Sequence, residues 1–84
     1  ERSRVMNELL KLNRLQVFPS EANFITVRVP DANELFETLK QNRILIKKLH
    51  GSHPLLKQCV RITIGSAAQN DAVLAVIKNL YPNL

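Results

Sequence analysis

Residues 59–65, Cys-Val-Arg-Ile-Thr-Ile-Gly, constrain the fold more than any other stretch of the chain. Val60, Ile62 and Ile64 alternate with Cys59, Arg61 and Thr63, the period-2 pattern of a half-buried strand. A strand with one apolar face must bury it against a second layer. The other face carries a guanidinium on a rigid element. Gly65 stops the strand, and Ser66 with Gln69 forms a capping box that starts a helix. Arg61 is the residue best suited to touch a ligand, and that ligand should be an anion, because Arg's planar fork matches carboxylate and phosphate. The plainer reading is an exposed strand arginine, or one paired with Asp or Glu.

The rest of the chain supplies the second layer. Val5, Leu9 and Leu12, widened by Met6 and Leu10, place a helix over 3–13, with Arg2, Arg4 and Arg14 on its solvated side. Leu15–Phe18 reads as a short extended piece and Pro19–Ala22 as a turn. Phe24–Val29 alternates as a second strand, closed by Pro30, which has no N–H for the ladder. Asp31 and Glu34 have the spacing of a capping box for a helix over 32–41. Ile44–Lys47 reads as a third strand and Lys48–Lys57 as a loop. Val73, Val76, Ile77 and Leu80 stripe the last helix, with Asp71 in its first turn. The order α-β-β-α-β-β-α predicts an α+β two-layer sandwich: a mostly antiparallel sheet of three or four strands with helices on one face. Arg28 and Arg61 then share the other face. Like charges there call for a carboxylate, phosphate or water between them, a second hint of an anion site.

With 84 residues, 45% of them apolar, the chain is one globular domain, residues 1–84. It begins at Glu1 without a methionine and reads as a piece of a longer protein. One cysteine cannot form an internal disulfide, so a reducing compartment is the default. No apolar run nears the roughly 20 residues of a membrane span, and no secretory leader is visible. The net charge of +5 permits nucleic acid, phosphate or acidic partners without choosing among them.

Lys47 and Lys48 are either a solvated strand end or further phosphate contacts, acting as point charges. His50, His53 and Cys59 form H-x-x-H-x5-C, which lacks a fourth ligand and a familiar metal spacing. No nucleophile–base pair and no Gly-rich phosphate loop is present. A free-standing small-molecule or RNA-binding module is the rival class. Against RNA, Phe18, Phe24, Phe36 and Tyr81 are the only aromatics, Phe36 reads as core, and no G-x-x-G loop occurs.

Four segments in order carry a family resemblance: Phe18–Phe24, Asp31–Phe36, Ile44–Gly51 and Cys59–Ser66. Together they resemble the C-terminal small domain of histidinol-phosphate aminotransferase, within the fold-type I aminotransferases. The resemblance implies a cytoplasmic, homodimeric enzyme of histidine biosynthesis that uses pyridoxal phosphate. Its small-molecule substrates would be histidinol phosphate and 2-oxoglutarate, with imidazole acetol phosphate and glutamate as products. It implies that Arg61 binds the substrate phosphate or carboxylate, with Lys47 where the family usually has an arginine and Lys48 where an aspartate is common. Asn23 matches a position that organises the loop before the strand. The cofactor residues would lie in a large domain of the same chain, leaving residues 1–84 alone inactive and without cofactor. No nucleic-acid or membrane partner is implied. A related aminotransferase of different specificity fits the same residues.

Overall fold

The structure, a computed structural model, describes residues 1–18 and 23–84. The turn expected at Pro19–Ala22 lies outside the described residues. In order the elements are α1 (Arg2–Leu10), β1 (Gln16–Phe18), β2 (Phe24–Arg28), α2 (Ala32–Gln41), β3 (Lys47–Lys48), a 3-10 turn (Pro54–Leu56), β4 (Cys59–Thr63) and α3 (Ala67–Leu80). The strands form one sheet in the order β1-β2-β4-β3, and every neighbouring pair is antiparallel. The α+β sandwich, with helices on one face, is the architecture the sequence predicts.

The core fills the space between sheet and helices. Ile25, Val27, Val60 and Ile62 face Val5, Leu9, Leu35, Leu39, Val73, Leu74 and Ile77, all buried. Each such side chain contributes about 1.5–3 kcal/mol on burial. Strand alternation therefore holds in β2 and β4. In α1 it is Leu10 that departs from expectation: it is 60% exposed, because the helix ends there and Leu12 turns inward after it. Arg4 is not merely solvated either. It bridges Glu1 (2.6 Å) and Asp71 (2.8 Å), tying α1 to α3. Asp71 sits one residue past the first turn of α3 and serves this pair rather than the helix dipole. Hydrogen bonds from Arg4 and Asn70 hold the Glu1 carboxyl down to about 2.

Helix ends explain where the strands begin. The Ser66–Gln69 capping box is complete. The Gln69 side chain folds back over Gly65 to accept from Ser66 N, and a Cβ at Gly65 would collide with it. Buried Asn70 locks the same corner: its Nδ2 donates to Gly65 O (3.1 Å) and its Oδ1 accepts from Gly65 N (2.9 Å). At α2, Asp31 Oδ1 accepts from Glu34 N, and only this half of the expected box forms.

The third strand is shorter and later than expected. Arg43 adopts φ 63°, and the α2 C-terminus closes with Arg43 N donating to Lys40 O and Ile44 N to Leu39 O, a Schellman cap. The Ile44 amide is thereby committed to the helix, and pairing with β4 starts only at Lys47. The aromatic core residue is Tyr81, not Phe36. Tyr81 is 2% exposed, and its hydroxyl donates to Asp31 O (2.9 Å), clamping the end of α3 to the start of α2. Burial and the neighbouring Glu34 charge push its phenol up to about 12.

Candidate anion-binding site

The antiparallel register decides which side chains share the outward face of the sheet. Arg61 lies between Thr26 of β2 and Lys47 of β3 as direct cross-strand partners. Cross-strand partners project to the same face. Phe24 pairs with Thr63, Arg28 with Cys59 and Gln16, and Phe18 with Thr26. The face thus carries three cations, Arg28, Arg61 and Lys47, and two phenylalanines. Of the seven Asp and Glu residues, six lie in a helix or at its N-cap: Glu1, Glu8, Asp31, Glu34, Glu37 and Asp71. The seventh, Glu21, lies outside the described residues. Among the described residues the outward face has no carboxylate.

The two arginines are used differently. Arg28 Nε donates to Lys57 O (3.0 Å), Nη2 to Leu55 O (2.7 Å) and Nη1 to Gln16 Oε1 (2.9 Å). Its charge also lies 5.2 Å from the Phe18 ring centre. Arg28 is therefore a fastener for the 3-10 turn, and its place on this face is not a second sign of an anion, as the sequence had suggested. Arg61 is half-buried, and its guanidinium carbon lies 4.8 Å from the Phe24 ring centre. Among the described residues no carboxylate pairs with it. Lys47 stands directly opposite, exposed, and adds a like charge. Like charges in directly opposed positions destabilise a sheet. An anion seated between them removes that cost and gains charge-assisted hydrogen bonds.

Strand alternation separates the two lysines that the sequence groups together. Lys48 pairs with Val60 on the helix side. Its Nζ donates to Asn33 Oδ1 (2.8 Å) and lies 5.2 Å from the Phe36 ring centre. Lys48 is thus outside the site. Phe24 and Thr26 are the residues that sequence reading missed. Their alternation with Ile25 was legible, but their position beside Arg61 follows only from the register.

The remaining polar groups serve the loop. His50 Nδ1 accepts from Gln58 N (2.8 Å), and His53 Nδ1 accepts from Leu55 N (3.1 Å). Each Nδ1 lone pair is thereby engaged by a backbone N–H of the loop. Cys59 is buried, its Sγ against Lys57 O. Among the described residues no three His, Cys, Asp or Glu side chains are placed to hold a metal. Gly51 turns this loop at φ 91°, a conformation that suits glycine. No described helix is long and apolar enough to cross a membrane.

All six lysines of the chain are exposed. Lys11 and Lys78 pair with Glu8. Lys57 lines a cavity of about 400 Å³ with His50 and His53, and among the described residues no carboxylate borders it.

Comparison with known proteins identifies what the chain is similar to. The sequence is 72% identical over 81 residues to histidinol-phosphate aminotransferase of Neisseria gonorrhoeae, covering 96% of this chain and 23% of that protein. The chain thus spans about a quarter of the length of the curated relatives it matches. Among solved structures, histidinol-phosphate aminotransferase of Clostridium acetobutylicum superposes with a TM-score of 0.83 at 28% identity, covering 99% of this chain and 26% of that one. A decarboxylase of Sulfurospirillum multivorans shares the fold, with a TM-score of 0.84 at 21% identity over 95% of this chain and 24% of that one. The pattern of aminotransferase class I and II matches residues 1–77, and the chain belongs to that family.

Proposed function

We propose that residues 1–84 form the C-terminal small domain of a longer pyridoxal-phosphate aminotransferase, in which Arg61 and Lys47 hold the anionic end of the substrate. The observation that carries this reading is the Arg61 guanidinium. It stands opposite Lys47, and among the described residues neither a partner nor any other position on its face supplies a carboxylate. The substrates best matched are histidinol phosphate and 2-oxoglutarate, given the high identity to relatives of that name. Arg61 would bind the phosphate of one and a carboxylate of the other in turn, with Lys47 adding charge to the phosphate. The parent is proposed to be a cytoplasmic homodimer of histidine biosynthesis.

Pyridoxal phosphate does not fit among the residues of this chain. A resident lysine in a sheltered site and an acidic partner for the pyridine nitrogen are the protein groups it requires. Every lysine here is exposed, and the carboxylates among the described residues lie in the helical layer. The large domain is the proposed source of those groups, so the isolated 84 residues are expected to be inactive. Nucleic acid is disfavoured because a guanidinium lies against each phenylalanine of the sheet face, where a base would stack.

In the full-length protein, Arg61→Ala should raise KM for both substrates about ten- to a hundredfold, the loss of a charge-assisted hydrogen bond or two. The visible absorbance of bound pyridoxal phosphate should stay unchanged. An unaltered KM would remove Arg61 from the site.

A further inference from the structure

We infer that Phe24 is the positioning residue for the Arg61 guanidinium, so that the anion site is a three-part unit of Phe24, Arg61 and Lys47. This rests on the reading of Arg61 as the anion anchor. An arginine on an open strand face samples many rotamers, and each must be given up when a ligand binds. Arg61 receives no hydrogen bond acceptor from its neighbours among the described residues to restrict it. Its fixed contact is the Phe24 ring, 4.8 Å from the guanidinium carbon, well inside cation–π range. Phe24 stands opposite Thr63, two residues along β4 from Arg61, so the stack is a diagonal cross-strand pair.

The chemistry of the stack suits its place. A carbonyl or carboxylate partner would order Arg61 but would occupy the N–H groups that a ligand needs. An aromatic ring orders the guanidinium through its π face and accepts none of those N–H groups as conventional hydrogen bonds. Lys47, on the other side of Arg61, cannot pull it away because the two repel. The ring thus pre-orients the fork while leaving its donors for phosphate or carboxylate.

The test uses the full-length protein with Phe24→Leu and Phe24→Tyr, each alone and combined with Arg61→Ala, reading KM and kcat for the anionic substrate. Phe24→Leu should raise KM roughly three- to tenfold, the size of one cation–π contact, with kcat within about twofold. Phe24→Tyr should restore KM. In the Arg61→Ala background Phe24→Leu should add nothing. An equal rise of KM in both backgrounds, or no rise with Arg61 intact, overturns the inference. Should the leucine variant not fold, Phe24→Met keeps the volume without the ring and takes its place. If Arg61→Ala itself leaves KM unchanged, it is the anion-anchor reading that fails, which the single variant shows by itself.

Discussion

Arg28 and Arg61 stand on neighbouring strands of one sheet face, each against a phenylalanine two residues along the adjoining strand. Their surroundings otherwise differ. Arg28 spends its donors on three oxygens of β1 and the 3-10 turn. Arg61 meets a threonine on one side and a lysine on the other. The same residue type, in the same kind of stack, is thus a structural fastener in one place and a spare charge in the other. What separates them is position in the sheet. Arg28 lies beside the loop that returns to β4, where backbone carbonyls are within reach. Arg61 sits at mid-strand, where the carbonyls are already paired in the ladder.

The largest effect that tests this contrast is an exchange of phenotypes. Arg61→Ala should weaken substrate binding by the ten- to hundredfold given above and leave local protection untouched. Arg28→Ala should do the reverse. Loss of its bonds should cost about 1–2 kcal/mol of local stability and speed hydrogen exchange of the Leu56 and Lys57 amides, with KM within about threefold. Equal effects of the two on KM would erase the distinction.

Next in size is Lys47→Glu, which gives Arg61 the carboxylate partner that its face lacks among the described residues. Substrate KM should rise by about tenfold or more, because a permanent counter-ion now competes for the fork. Stability should rise by only a few tenths of a kcal/mol, as for other exposed cross-strand pairs. Lys47→Arg should keep the affinity or tighten it. A lowered KM for Lys47→Glu would show that Arg61 does not meet the anion.

The smallest effect falls on the helical layer. Tyr81→Phe removes the hydroxyl that donates to Asp31 O. It should cost about 1 kcal/mol in stability with no change in KM. The phenol is held up at about 12 in the fold, above its ordinary value near 10. The unfolded chain therefore releases its proton first. The contribution is present below pH 10 and lost as pH rises from 10 to 12. The difference in unfolding temperature between wild type and Tyr81→Phe should shrink over that range. A constant difference would mean that the phenol is not protected by burial.

Much of the fold was legible in the residues. Ile25, Val27, Val60 and Ile62 announced their strands by period 2, and Ser66 with Gln69 announced a helix start. These are local signals, set by backbone geometry over a few residues. The misread stretches are those where a neighbouring element overrode the local pattern. Ile44–Ile46 has strand-like residues, but the Schellman cap of α2 took the Ile44 amide. Asp71 has helix-start chemistry, but Arg4 of another helix claimed it. Leu10 matched the stripe of α1, but the helix ended before that face could be covered.

The candidate site divides in the same way. The sequence by itself determined that Arg61 stands on a strand's polar face, because alternation along one strand is a property of that strand alone. It also determined that the chain has helices enough to cover the opposite face. Only the tertiary structure decided which residues Arg61 meets. The pairing of β4 with β2 and β3 brings Phe24, Thr26 and Lys47 beside it, sends Lys48 to the helix side, and gives Arg28 its carbonyls. Register is a long-range quantity, fixed by the packing of both layers at once, and a shift by one residue would reverse every one of these assignments.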